Sequence, residues 1–503
     1  MLDEIMKNTN EYVNSFPKEE RKKYGQFFTP IVTARYMASL IHNHKGKIRI
    51  LDPGAGNGLL TAALIEKLVS TGCVCEIQAD LYENDEHVQE LLSQNILVIR
   101  NYCKTADVKL RLNVINENFI TYNCGYWSRE NTKGLYDIVI CNPPYLKIGK
   151  KAKESVCMSK IVHGQPNMYF LFMGMAAKLL RKQGEFVFIT PRSWTSGFYF
   201  KSFRNWFFQQ MDIQYVHLFH SRSNTFKEGR ISNDNILQET MITYAVKSRV
   251  QSEHVTIASC EDADSFSETE QMEILAESCF IKEPEKYFLL PIEQEDLSIL
   301  DIMRRMPNSV AQAGFRFKTG KVVEFRNKEY VSYQFAENAV PLLHSCNVLD
   351  GKIVFPVKTD KPQYFLSTEE SKKNILENQN TVFLKRATAK EEARRLQPAL
   401  HIADNFHYSK LCAENHLNYL VKIGDELSLC EVYGFYTILT SNIWERYYRM
   451  LNGSTQVNSE ELNSMPIPEV QVLQHIGRLA MHAWNEHGDI TMTSDEIIRR
   501  ALA

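Results

Sequence analysis

From Ile48 to about Val250 the chain alternates two kinds of apolar pattern. Short runs of strand length recur: KIRILDPG, CEIQADLYE, RLNVIN, YDIVICN, GEFVFITP, QYVHLFH and ETMITYAV. They are rich in β-branched and aromatic residues, and most stop at Gly, Pro, Asn or an acid. Between them lie helical stretches such as LLTAALIEKLVS and NMYFLFMGMAAKLLRK. Alternation of this kind predicts an α/β fold, a mostly parallel Rossmann-like sheet with helices on both faces. Ligands bind such sheets beyond the carboxyl ends of the strands. The residues just after each strand are therefore the candidates for chemistry.

The pattern changes on either side. Residues 1–23 read as a polar helical lead-in ending in KEERKK, and 24–250 as the α/β domain. Residues 251–300, which contain EDADSFSETEQMEILAE, are acidic and loosely patterned and read as a connector. Residues 301–503 mix short aromatic strands (VVEFRNKEYVSY, GKIVFPVK, TVFLKRAT) with polar loops, which predicts a separate α+β domain. Helical periodicity in EVQVLQHIGRLAMHAWNEHG places a helix near its end, packed back on the body. Neither an internal repeat nor a low-complexity tract is present.

The first strand runs into a glycine turn, LDPGAGNG, and then a helix. Gly54, Gly56 and Gly58 let backbone approach a ligand at a helix start. The spacing is GxGxG rather than the GxGxxG of dinucleotide sites, and Asp52 stands in front of it. A carboxylate there repels a pyrophosphate and suits an ammonium group. The second strand ends at Glu83, placed to accept both hydroxyls of a ribose. The alternative is a solvated acidic loop, since Asp85 and Glu86 follow. A ligand with an amino-acid end and a ribose end fits S-adenosylmethionine.

The fourth strand ends in Asn142-Pro143-Pro144-Tyr145. Proline cannot donate to a ladder, so the strand stops there. An exocyclic amine on an aromatic ring is a poor nucleophile because its lone pair is delocalised. The Asn142 side-chain oxygen and the Pro143 carbonyl can accept its two N–H bonds and localise that pair. Two prolines hold both acceptors rigid, and Tyr145 can stack on a planar base.

Composition adds exclusions. No run of about 18 apolar residues occurs, so no membrane span is expected. The eleven cysteines are scattered without paired CxxC spacing. Reduced thiols in a cytoplasmic protein, and no metal site, are the expectation. A net charge of −2 does not advertise nucleic-acid binding, but binding needs only a local basic face.

With these residues together, the chain resembles the gamma-class DNA adenine-N6 methyltransferases of type II restriction–modification systems, with a TaqI-like catalytic domain. GQFFTPIVTARYMASL resembles the family's N-terminal cofactor motif, with Thr29 and Pro30 near the methionine end. LDPGAGNG resembles its cofactor turn, where the family carries Cys or Ala at the position of Gly54. NVINENFIT resembles the segment whose acid contacts the cofactor adenine, and here that position is Asn118. NMYFLFM, with Asn167 where Asp is common, and GEFVFITPRSW match the next elements. SNTFKEGRISNDNILQETMITY resembles the motif whose Phe packs on the far face of a flipped base, with Phe226 as the match. The resemblance implies cofactor contacts at Thr29, Pro30, Asp52, Gly54, Gly56, Glu83, Asn118 and Asn142. It places catalysis at Asn142, Pro143, Pro144, Tyr145 and Phe226.

The C-terminal half is similar to target-recognition domains, in the layout of the PstI/BsuBI-type modification methylases. That likeness implies double-stranded DNA as partner, CTGCAG as site, and a cognate restriction endonuclease from which host DNA is protected. Base flipping would bring the adenine to the pocket. Phosphate contacts are expected from Lys385, Arg386, Lys390, Arg394 and Arg395, unless these form a solvated helix face. Gln456 and Asn458 either read base edges or cap a helix. KIGKKAK, after the catalytic motif, reads as a basic lid. Rival readings are an N4-cytosine DNA methyltransferase and a protein-glutamine or RNA N-methyltransferase. About half of the chain lies beyond the catalytic sheet, which favours a substrate as large as DNA. A nucleotide-binding regulator would explain the glycine turn but not NPPY.

Overall fold

The computed structural model describes residues 1–15, 28–42, 44–130, 132–221, 239–280, 286–388, 392–452, 456–487 and 493–502. The chain divides into two compact units, Met1–Ile292 and Glu293–Ala503.

The first unit is built on a nine-stranded sheet. Its strands are β1 (Gly46–Asp52), β2 (Val74–Tyr82), β3 (Lys109–Ile115), β4 (Tyr136–Cys141), β5 (Leu180–Pro191), β6 (Asp212–Phe219), β7 (Thr240–Val246), β8 (His254–Cys260) and β9 (Glu270–Leu275). The order across the sheet is β3-β2-β1-β4-β5-β7-β6-β8-β9. Strands β1 to β5 pair in parallel, and β7 runs antiparallel between β5 and β6. All seven strands expected from the apolar runs are present. Every residue of β4 is buried, as a central strand covered on both faces requires. The helices Leu59–Ser70 and Glu86–Thr105 are placed between β1, β2 and β3.

Three boundaries differ from the sequence reading. The lead-in is part of the core: helix Leu2–Ser15 buries Leu2 and Ile5 with the apolar residues of helix Leu59–Ser70. The expected connector is an extension of the sheet. Strand β8 pairs in parallel with β6, and β9 pairs antiparallel with β8. Phe266, between them, stacks on Tyr36 with ring centroids 4.2 Å apart. Finally, helix Met168–Leu179 ends earlier than its apolar pattern suggests, because Leu180 already belongs to β5.

The cysteine expectation is also corrected: Cys124 and Cys157 form a disulfide, while the other nine thiols are free. The two are 33 residues apart and share no local motif. Packing of the turn after β3 against helix Lys153–Cys157 brings them together. Among the described residues no helix is long and apolar enough to cross a membrane.

The second unit contains a six-stranded and a five-stranded sheet. The strands Phe315–Thr319, Leu417–Lys422, Thr381–Lys385 and Pro398–His401 form the longer part of the first. Helix Val470–His487 packs on helix Leu429–Thr440, the return expected for the tail. Gly477 would meet the Cys430 backbone if it carried a side chain, so that helix pair closes around a glycine.

Candidate active site

Strand β1 lies beside β4 in parallel register, with Ile50 opposite Ile138 and Leu51 opposite Val139. The glycine turn after Asp52 and the NPPY segment after Cys141 therefore leave the sheet side by side. Gly56 and Gly58 have φ of 52° and 80°, in the left-handed region where other residues are disfavoured. Gly54 is not constrained in this way. A Cβ there would sit 3.5 Å from the Phe172 ring, an ordinary contact, so the departure from Cys or Ala is tolerated rather than required.

The turns after β1, β2, β3 and β4 line a cavity of about 550 Å³, within the usual range for a small-molecule site. Gly54, Gly56, Glu83, Asn118, Asn142, Pro143 and Pro144 are in its wall. Thus the structure brings together most of the residues singled out for cofactor and amine. The Glu83 carboxylate accepts hydrogen bonds from Gly56 N and Asp85 N, each at 2.9 Å. Burial raises its pKa.

Asp52 is placed differently from expectation. It is fully buried, and Pro53 and Gly54, not Asp52, face the cavity. Its Oδ2 accepts from the Thr61 hydroxyl at 2.7 Å, while Oδ1 has no hydrogen-bond partner. Burial pushes its pKa up to about 7. It lies behind the turn, outside the cavity wall. An orphaned buried carboxylate oxygen behind the wall and Glu83 in it suit a ligand with a cationic end and a diol end.

The NPPY motif is held from three sides. Asn142 Nδ2 donates to Thr29 Oγ1 at 3.1 Å. Thr29 and Pro30 do not line the cavity; Phe28, just before them, does. The Tyr145 hydroxyl donates to the Ile189 carbonyl of β5 at 3.1 Å, and its ring meets Tyr169 edge-on. Downstream, Met168 N donates to Leu146 O at 2.8 Å and Ile148 N to Pro166 O at 3.1 Å. Asn167 caps the following helix through Tyr169 N. Phe226 lies outside the described residues.

Phe28, Tyr82, Phe119, Met168, Phe172 and Glu154 also line the cavity and were not singled out from sequence. Phe28 lies within the motif GQFFTPIVTARYMASL, and its aromatic character was the available signal. Glu154 carries no local signal.

Residues 60–226 match the family model described as Eco57I restriction-modification methylase. The chain is 30% identical to the type II methyltransferase M.PstI of Providencia stuartii, over 100% of this chain and 97% of that one. It is 30% identical to the type II methyltransferase M.BsuBI of Bacillus subtilis, over 95% of this chain and 94% of that one. The chain belongs to the type II restriction–modification methyltransferases. S-adenosyl-L-methionine is the methyl donor expected of such an enzyme. Among solved structures, a nuclease-deletion mutant of the type ISP enzyme LlaGI in complex with a DNA substrate mimic aligns with a TM-score of 0.49. That match is 10% identical, over 90% of this chain and 54% of that one.

In the second unit of this methyltransferase the expected phosphate-binding cluster breaks up. Arg395 is 1% exposed. Its guanidinium donates to Thr388 Oγ1 at 3.1 Å and to Asn452 Oδ1 at 3.4 Å. Its backbone N is held by the Glu445 carboxylate. Arg394 donates to Ser441 O and Asn442 Oδ1, and burial lowers its pKa. Both arginines hold the fold and leave the DNA-contact set. Arg386 bridges Asn415 O and Gln456 Oε1. Gln456 is exposed, and Asn458 sits at the cap of helix Ser459–Ser464. Lys385 is half-buried, and Lys390 lies outside the described residues.

Proposed function

We propose that this methyltransferase transfers a methyl group to the N6 amine of adenine in double-stranded DNA. The observation that carries the reading is the NPPY turn at the tip of β4, beside the cavity, with the Asn142 amide tethered by Thr29. With its nitrogen donating to Thr29, the amide offers its oxygen as acceptor. The Pro143 carbonyl is a second acceptor, on a residue that is buried and conformationally fixed. Two acceptors draw the two N–H bonds of an exocyclic amine and localise the nitrogen lone pair. The amine becomes acidic as it alkylates, so its proton leaves without a strong base. The methyl group comes from the sulfonium of S-adenosylmethionine. Glu83 and the glycine turn would hold its ribose and amino-acid ends, and Asp52 favours its positive charge through the turn.

Tyr145 and Phe226 are proposed to cover the two faces of the flipped base. Residues 293–503 are proposed as the target-recognition unit, with Lys385, Arg386 and Gln456 among its DNA contacts. CTGCAG is the candidate site, and protection from a cognate endonuclease the biological outcome. Incubating plasmid DNA with enzyme and isotopically labelled cofactor, then digesting to nucleosides, tests the reading. Labelled N6-methyladenine is expected. N4-methylcytosine alone, or label only in protein or RNA, would replace it.

A further inference from the structure

Asn118 stands where the resemblance places an acid against the cofactor adenine, but its side chain is already committed. Oδ1 accepts from Ile120 N at 3.1 Å and Thr121 N at 3.0 Å, capping the turn Phe119–Tyr122. The capping fixes the amide, and its nitrogen donates to Glu154 Oε1 at 2.9 Å. An amide nitrogen has no lone pair to offer. Asn118 therefore cannot receive the 6-amino group of a purine.

Glu154 can. It lines the same cavity as Glu83 and Asn118. The Asn118 bond takes Oε1, and Oε2 is not part of it. We propose that Glu154 accepts the 6-amino group of the cofactor's adenine and that Asn118 is its positioning residue. The proposal rests on S-adenosylmethionine being the methyl donor.

Glu154 comes from helix Lys153–Cys157, within the stretch that follows NPPY. Two ties hold that helix in place. The Ser155 hydroxyl donates to Gly149 O at 2.9 Å, and the disulfide joins Cys157 to Cys124, just beyond the capped turn. Residues 142–154 thus carry both the amine clamp and the adenine acceptor. Selectivity for the cofactor base and placement of the catalytic motif then depend on one stretch of chain. Glu117 also reaches the cavity wall, but it is exposed and makes no bond to Asn118.

Titration calorimetry with S-adenosyl-L-homocysteine and S-inosyl-L-homocysteine tests this without turnover. The inosyl compound replaces the amino donor with a carbonyl acceptor. In Glu154→Gln, Asn118 still requires an acceptor, so the new amide turns its oxygen to Asn118 and its nitrogen to the purine. Adenosyl affinity should fall about ten-fold or more, and inosyl affinity should rise. The ratio is read within one protein, so a partly unfolded fraction cancels. Glu117→Gln should leave the ratio unchanged. An unchanged ratio in Glu154→Gln, or the loss appearing in Glu117→Gln instead, overturns Glu154. Wild-type protein that binds neither compound overturns the cofactor reading beneath it.

Discussion

The amide nitrogen of Asn142 donates to the hydroxyl of Thr29 across 3.1 Å. Thr29 is buried and precedes the helix Ile31–Ser39. A residue expected to touch cofactor instead accepts from the Asn142 amide, and on the proposed mechanism that bond sets which way the amide faces. Thr29→Val should let the amide turn over, lowering kcat about ten-fold while leaving S-adenosylhomocysteine affinity near wild type. Thr29→Ser should retain activity. Asn142→Ala should lower kcat by about two to three orders of magnitude with cofactor binding preserved. Loss of affinity in Thr29→Val with kcat intact would return Thr29 to the cofactor set.

Asp52 gives a pH signature. Its folded pKa of about 7 lies above the ordinary aspartate value of 3.8. Between those values the folded protein holds a proton that the unfolded chain releases. Stability of the cofactor-free protein should fall as pH rises through this window, and Asp52→Asn should lack that slope. A cation in the cavity favours the ionised form, so cofactor binding below pH 7 should release a proton. Affinity should rise towards pH 7 and then level. Calorimetry near pH 6 in two buffers of different ionisation heat should show proton release in the wild type and none in Asp52→Asn.

The strands and the NPPY tip were legible in sequence because their signals are local. An apolar run, a stop and the residue after it lie within ten positions. Glu154 was not legible, because its partner Asn118 lies 36 residues away and the link between them is a cap geometry. Arg394 and Arg395 were misread for a related reason. A basic run gives no sign of burial, and Glu445, fifty residues on, draws that backbone inward. Strands β8 and β9 were missed because an acidic stretch separates them and β9 itself carries Glu270 and Glu273, which looks like a connector without its partner.

Arg395 and Lys385 should separate by experiment. Arg395→Ala should destabilise the protein by about 3 kcal/mol, since it leaves buried polar partners unpaired. Thermal unfolding reads that loss. Lys385→Ala should leave stability unchanged and reduce the slope of log DNA affinity against log salt by about one. An equal slope would remove Lys385 from the phosphate contacts.

Glu185, midway along β5, receives hydrogen bonds from His42 Nδ1 at 2.6 Å, His42 N at 3.0 Å and the Tyr244 hydroxyl at 2.7 Å. His44 Nε2 is also bonded to it. Burial alone would raise its pKa, but these bonds prevail and lower it to about 2. A depressed folded pKa contributes stability above the ordinary glutamate value of 4.5, lost as pH falls from there towards 2. Glu185→Gln should flatten acid unfolding over that window, with a stability loss on the order of 3 kcal/mol at neutral pH. Parallel acid-unfolding curves for both proteins would refute this.

Strand β9 also decides where this chain can be divided. Without β8 and β9, β6 would become the rim of the sheet, with its outward backbone groups unpaired and its side chains largely apolar. Such a rim recruits other chains. Glu270 and Glu273 of β9 instead end the sheet in negative charge. A protein stopped at residue 250 keeps the glycine turn and NPPY yet should self-associate, whereas one stopped at 292 keeps the covered rim and should not associate through it. Any exchange of recognition units between relatives must cut after the acidic rim, not after the last residue that does chemistry.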